Sequence, residues 1–488
     1  MIKNKKIIPS LGESIIPVVF LIVLLTSSVY LFADDSSSGP NQIALILSTG
    51  LTCLIGFKNG FKWKEMQNAM SESLAMVSGA IFILLAVGSL ISTWMMAGIV
   101  PTMIYYGLHL INPGYFFVVT MLVCAITSLA IGSSWTTAST IGIALIGIAT
   151  VLNLSLSVTA GAIISGAYFG DKMSPLSETT NLAPAIVGTG LFTHIRHMMY
   201  TTLPSFTLTL ILFFLIGLSS SSSMQIAELN QITDALAQHY EMGWYLLLPL
   251  VLVIGLMIKK VPAFPTILIG ALVGGVFAII FQPHIVLTYA GYDGKSASLI
   301  YLLKGVWMSL YSEFHLDTNN ETLNHLVSRG GMENMLTTVW LIISAMMFGG
   351  ALEKTGVLER LATTILKNVK STGSLIVVTL FTALGINIIA SDQYMAIVFP
   401  GRMYFAEFKQ RSLHPKNLSR AIEDAGTLTS PLVPWNTCGA FMAGSLGVAT
   451  LDYLPFCFFN LLNFLISAIY GFTGFTIDEV DPDEMSAK

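Results

Sequence analysis

From Ser73 to Gly170 the chain runs for 98 residues without an Asp, Glu, Lys or Arg. A soluble protein of 488 residues needs charge to cover its surface, and this one is only 10% charged and 54% hydrophobic, against roughly 25% charged in soluble domains. Mean hydropathy is +0.75. The medium that such a chain fits is the lipid bilayer, and the fold class is an all-α polytopic membrane protein. The uncharged run ends abruptly at "GDKMSPLSETTNLAP", 170–184, where Asp171, Lys172 and Glu178 arrive together among hydroxyls and two prolines.

The remaining composition narrows the class further. A net charge of −4 gives no reason to expect a nucleic-acid partner. Cys53, Cys124, Cys438 and Cys457 lie in apolar segments without metal-ligand spacing and read as core residues. Lys3, Lys5 and Lys6 precede the apolar run Ile15 to Phe32, which exceeds the roughly 7–15 residues of a signal h-region and lacks an A-x-A site. It is expected to be an uncleaved first span. The lysines place the N-terminus in the cytoplasm, and Asp34 and Asp35 outside.

Full-length apolar spans are expected over about 14–33, 41–57, 73–97, 115–132, 203–220, 243–258, 264–283, 335–352, 373–390 and 454–474. Shorter pieces at 134–152, 158–170, 392–401 and 438–450 bring the expected total to about 11–13 membrane segments. Broken helices at membrane depth survive only where protein or a water-filled cavity satisfies their backbone. "TWMMAGIVP" (93–101), "IGSSWTT" (131–137), "MSPLSETTN" (173–181) and "TLPSFTLTLILFFLIG" (202–217) each find a counterpart, in order, in "ALEKTGVLE" (351–359), "IIASDQY" (388–394), "TSPLVPWN" (429–436) and "YLPFCFFNLLNFLIS" (453–467). The offsets run from 251 to 258, so the chain holds two homologous halves. The expected organisation is N-terminal helices over 1–69, a first repeat over 70–220, connecting helices and a polar loop over 221–333, a second repeat over 334–475 and an acidic tail over 476–488. The turn 97–114 carries no Lys or Arg, whereas 353–370 carries Lys354, Arg360, Lys367 and Lys370. By the positive-inside rule the halves face opposite ways, the inverted-repeat plan of secondary transporters with broken helices or re-entrant hairpins.

In that plan the binding site lies where interrupted helices of the two halves meet. The matching positions are 131–140 with 170–184 and 387–394 with 421–439. They supply Asp171 and Glu178 from one half and Asp392, Glu423 and Asp424 from the other. Intramembrane carboxylates cost at least about 2.5–3.5 kcal/mol and mark ion paths or proton relays; the plainer alternative puts them at helix ends, neutralised by Lys172 or Arg420. Oxygen donors suit a hard monovalent cation such as sodium. Ser133, Ser134, Thr136 and Thr137 offer hydroxyls, which could equally line a close helix interface. Asn181 and Asn436 follow Ser-Pro-Leu in both halves, and Pro175 and Pro431 break the helix and free carbonyls. Desolvation favours the protonated acid and a bound cation favours the carboxylate, so one Asp can hold sodium or a proton in turn. Asp171 and Asp392 are the candidates for that exchange, with a tentative sodium position at each; Glu178 and Glu423 are further candidate proton carriers. "THIRH" (193–197) reads as an interfacial basic turn. No H-E-x-x-H, P-loop or dinucleotide motif occurs, so neither an enzyme nor ATP-driven pumping is expected, and no cofactor is called for.

"FGDKMSPLSETTNLAPAIVGTGLFTHIRHM" (169–198) resembles the signature of NhaC-type sodium/proton antiporters of the ion transporter superfamily. "LVSRGGMENMLTTVWLIISAMMFGGALEKTGVLE" (326–359) and "EDAGTLTSPLVPWNTCGAFM" (423–442) are similar to the family's second-half segments. The likeness covers roughly 70–475. It implies sodium/proton antiport by an elevator-like motion in the bacterial plasma membrane, as a homodimer with a fixed scaffold and a mobile transport domain. Carried over residue by residue, it implies Asp171, Ser174, Thr180 and Asn181 in the first motif. In the second it implies Asp424, Thr427, Ser430, Asn436 and Thr437, with Ser391 and Asp392 at the hairpin. The family includes exchangers of malate for sodium and lactate, so an organic-anion exchanger or an amino-acid transporter is the alternative. A carboxylate substrate asks for a paired cation or helix N-termini in the site; Lys172 and Arg402 are the only near cations, and both read more easily as helix-end charges. A channel would want an open polar lane rather than discrete paired acids.

Overall fold

The computed structural model of the chain describes residues 7–110, 112–219, 226–294, 297–318, 324, 327–367 and 369–480. The three N-terminal lysines and residues 481–488 of the acidic tail lie outside the described residues. Among the described residues there is no β-strand, only two isolated bridges. Among the described residues nine helices are long and apolar enough to cross a bilayer, or eleven when two bent pairs each count as one span. The chain is an all-α polytopic membrane protein. Helices Leu156–Met173, Gln393–Gln410 and Pro415–Thr429 fall outside that count. They carry Asp171, Lys172, Glu423 and Asp424, and Asp392 caps the second of them.

The helices sort into two groups. The first helix of each repeat, Ser78–Met96 and Met332–Lys354, packs with Pro40–Lys58, Trp63–Met76, Ala263–Phe281 and Ser298–Tyr311. The later helices of both repeats interleave in the second group: Phe116–Ile131 on Leu156–Met173, Glu178–Val187 on Pro415–Thr429, and Leu191–Ser219 on Phe458–Thr473. The halves of the sequence are therefore not two bundles side by side. Small residues permit the closest of these crossings, as between helices in lipid generally. A Cβ added at Gly166 would stand 2.2 Å from the Met121 carbonyl oxygen, and one at Gly170 would stand 2.4 Å from the Leu129 nitrogen.

Backbone geometry fixes the repeat register. Left-handed residues pair as Gly132 (φ 79°) with Ser391 (φ 61°), Asn153 (φ 51°) with Ser412 (φ 55°), and Gly188 (φ 70°) with Gly447 (φ 68°). Each pair is 259 positions apart, as are the helix N-caps Ser133 and Asp392, Ser155 and His414, and Ser177 and Asn436. Hydrogen bonds repeat at the same spacing. Ser128 Oγ donates to the Ala167 carbonyl at 2.6 Å, and Asn387 Nδ2 to the Gly426 carbonyl at 2.7 Å. This corrects the Ser-Pro-Leu match, which is three residues out of register: Pro175 corresponds to Pro434, and Asn436 to Ser177 rather than to Asn181. Shared side chains drew the two stretches together, while the second half has Ser430–Leu432 folded as an extra 3-10 turn before its break.

One further expectation changes. The span placed at 203–220 starts at Leu191, and "THIRH" is its first part rather than a turn. His194 and His197, three residues apart, share the face packed on Pro415–Thr429 and are buried, while Arg196 is exposed. Residues 476–480 of the tail bind along the start of Pro415–Thr429, with His414 N donating to Asp478 O at 2.9 Å and Val480 N to Ser412 O at 2.8 Å.

Candidate cation site

Each repeat breaks twice, and all four breaks open onto one cavity of about 590 Å³. Ser134, Glu178, Gln393 and Thr437 are the first residues of four helices, and all line it. They form two pairs in the repeat register, 134 with 393 and 178 with 437. Each break follows from local sequence: Gly132 takes the left-handed conformation that opens the first, and Ser133 Oγ caps the next helix by accepting from Thr136 N at 3.2 Å. In the second half Asp392 occupies the cap, its Oδ1 accepting from Met395 N at 2.8 Å. A carboxylate is stabilised at a helix N-terminus by the peptide dipoles and free N–H groups.

Asp171 sits in the last turn of Leu156–Met173 and faces the start of the opposite broken helix. Its Oδ2 accepts from Ser134 Oγ at 2.6 Å and from Ser134 N at 3.3 Å. Thr180 steadies that turn, its hydroxyl donating to the carbonyls of Asp171 and Lys172 at 3.0 Å each. The equivalent pair in the second half is Gln393 with Ser430, where Ser430 Oγ donates to Gln393 Oε1 at 3.0 Å. Each half thus contributes one buried cavity acid, but from different places: the helix end in the first, the cap in the second. Both Asp171 and Asp392 are buried side chains that line the cavity. Glu178 stands at its exposed edge, accepting from the Tyr394 hydroxyl.

Of the residues singled out from the sequence for the site, Ser133, Ser134, Asp171, Pro175, Glu178, Asn181, Asp392 and Thr437 line the cavity. The others do not. Thr137 Oγ1 donates to the Ser133 carbonyl at 2.9 Å, and Ser174 Oγ accepts from Leu176 N at 3.2 Å. Ser391 offers its carbonyl to Thr437 N at 3.0 Å, while its hydroxyl is buried without a partner. Asn436 caps the last motif helix and donates to Asn387 Oδ1 at 3.0 Å. Glu423 is fully buried, with Oε1 accepting from Thr427 Oγ1 at 2.9 Å and Oε2 unpartnered. Asp424, expected as a cation ligand, is instead ion-paired with Lys172, and both side chains are fully buried. Lys172 lies in the last turn of its helix, as expected of a helix-end charge, but its head is buried rather than at the water line. Its polar partner Asn463 accepts from Nζ at 3.0 Å. The sequence reading also missed Gln393, Tyr394, Asn387 and Asn463. Asn387 and Asn463 carried a usable signal, an amide in an otherwise apolar span. Cys438, read as plain core, lines the cavity and donates through Sγ to Gln393 Oε1 at 2.7 Å.

The sequence profile of the Na+/H+ antiporter family matches residues 166–475, which holds every one of these motif side chains from Asp171 onward. The chain belongs to the Na+/H+ antiporter family. Similar relatives include the Na(+)/H(+) antiporter NhaC of Alkalihalophilus pseudofirmus, 36% identical over 93% of this chain and 94% of the relative. The Malate-2H(+)/Na(+)-lactate antiporter of Bacillus subtilis is 38% identical over 96% of this chain and 95% of its own length. The Arginine/ornithine antiporter ArcD of Halobacterium salinarum is 36% identical over 98% and 94%. Within the Na+/H+ antiporter family, then, chains of nearly this length carry names with different cargoes.

Proposed function

We propose that this protein exchanges sodium for protons, with Asp171 and Asp392 as the groups that take sodium and protons in turn. The observation that carries the reading is their convergence: one buried carboxylate from each repeat, on a single cavity, beside hydroxyl and amide oxygens. Oxygen donors of this kind suit a hard cation. Sodium enters when the acids release their protons, and protonation on the other side expels it.

The cavity lies between the two helix groups. Met76 to Ile83 and Met257 to Ala263 contribute one wall from the first group, and the acids come from the second. In this reading the first group is the scaffold, and the second carries the ion past it in an elevator-like motion. The exposed Lys260 at the rim supports a cytoplasmic mouth by the positive-inside rule. A homodimer in the plasma membrane with its N-terminus in the cytoplasm completes the reading.

A second reading, exchange of an organic solute, draws on the volume of about 590 Å³, which is more than a bare ion fills. One assay separates the two. Everted vesicles holding the protein are expected to show sodium-dependent collapse of a pH gradient, abolished by Asp171→Asn and by Asp392→Asn with membrane levels of protein unchanged. Uptake of labelled malate or an amino acid, with sodium alone moving no protons, would select the second reading.

A further inference from the structure

Lys172 is the neighbour of Asp171 in sequence, yet its ammonium takes no part in the cavity. Asp171 and Pro175 line the walls on either side of it in the chain, and Lys172 does not. Its head is turned inward and fully buried, ion-paired with Asp424 Oδ1 and donating to Asn463 Oδ1 at 3.0 Å. Thr201 Oγ1 donates to the same Asp424 oxygen at 3.2 Å. The four side chains come from four helices, Leu156–Met173, Leu191–Ser219, Pro415–Thr429 and Phe458–Thr473. All four are buried, and Thr201, Asp424 and Asn463 are likewise absent from the cavity walls.

Burying a lysine head is costly unless it is paired and hydrogen-bonded, so this arrangement calls for a reason. The cavity walls supply one. Among the described residues they carry three carboxyl groups, Asp171, Asp392 and Glu178, and a single cation, Lys260 at the rim. A lysine stem is long and flexible and carries a compact ammonium charge. Released from Asp424, that charge has two carboxyl groups nearby, the fully buried Glu423, whose Oε2 has no partner, and Asp171 on the adjoining residue. Drawn to Asp171, it would take the place of the transported ion.

We propose that Asp424, Asn463 and Thr201 determine the specificity of the site by sequestering the Lys172 ammonium, which leaves Asp171 free for a transported cation. Asp424 is then a positioning residue that acts through Lys172, not a ligand. The inference rests on the cation-site reading above.

The test is sodium-dependent proton movement in proteoliposomes, with KM and kcat separated. Asp424→Asn is expected to raise the KM for sodium at least about tenfold, with a smaller change in kcat. Adding Lys172→Met to the same chain should bring KM back to within about threefold of wild type, because no ammonium is left to compete. A purely structural pair would lower kcat or protein yield and leave KM alone, and that result overturns the inference. So does a double variant whose KM stays raised. Should Asp424→Asn fail to fold, Asn463→Leu decides: it removes one acceptor of the ammonium and keeps the ion pair, and an unchanged KM there counts against the proposal. If the wild type moves no protons with sodium, the cation-site reading itself fails. If the wild type does so while the variants keep its KM, only this inference falls.

Discussion

At the scale of single residues, the two repeats place their acids at non-equivalent positions. Asp171 has Ser430 as its counterpart and Asp392 has Ser133, so hydroxyl and carboxylate have changed places between the halves. Both acids were legible in the sequence, because a carboxylate beside a helix break in an apolar setting has few other uses. That an acid is neutralised by Lys172 was among the alternatives, but which acid was not legible, since ion pairing across 252 positions leaves no local pattern. Ser134 supplies two hydrogen bonds to Asp171. Ser134→Ala removes the hydroxyl donor and is expected to raise the KM for sodium by about tenfold, the effect of one hydrogen bond to a charged group. Sodium titrations of antiport at several pH values check this, and the increase should be largest at low pH, where protons compete best. Gly439 is a second sensitive position, because an added Cβ would stand 2.0 Å from the Val433 carbonyl oxygen. Gly439→Ala is expected to destabilise the protein by about 1–3 kcal/mol, read as a lower melting temperature in detergent.

At the scale of elements, most helices were readable from apolar length, and the errors fell where polarity and span coincide. The helix Leu191–Ser219 begins twelve residues before the span placed at 203–220, because its first part buries two histidines rather than lipid-facing apolar residues. The break at Gly132 and Ser391 illustrates how one element is built twice with different tolerance. An added Cβ at Gly132 would stand 2.7 Å from Leu176 Cβ and 2.9 Å from Ser177 N. Gly132→Ser therefore combines overlap with a left-handed backbone and is expected to cost at least about 2 kcal/mol. Ser391→Gly, which relieves the same conformation, should leave stability within about 1 kcal/mol of wild type. Thermal melts of the two variants side by side check the contrast. The strap 476–480 adds a pH-dependent element. Lys416 bonds Asp478 at 2.5 Å and holds its carboxyl below the usual carboxylate range. A lowered value contributes stability above the ordinary carboxylate pKa, and that contribution is lost as pH falls through the lowered value. Protection of the amides over 474–480, relative to the intrinsic exchange rate at each pH, should thus fall at acid pH, and Asp478→Asn should lower it already at neutral pH.

At the scale of the whole molecule, repetition in sequence becomes interleaving in space. Two homologous halves send their first helices to one group and their later helices to the other, and the cavity lies where the groups meet. The existence of the repeat was legible from four ordered matches; its register was not, because side-chain identity drifted while caps and left-handed turns stayed 259 positions apart. The proposed function depends on Asp171 and Asp392 exchanging metal ion for proton inside one cavity. Calorimetric titration of sodium into the purified protein, repeated in buffers of different ionisation enthalpy, counts the protons released on binding. Sodium binding that expels protons in the wild type, and no longer does so in Asp171→Asn or Asp392→Asn, is the expected result. Sodium that binds without releasing a proton, or with the same release after both substitutions, would contradict it.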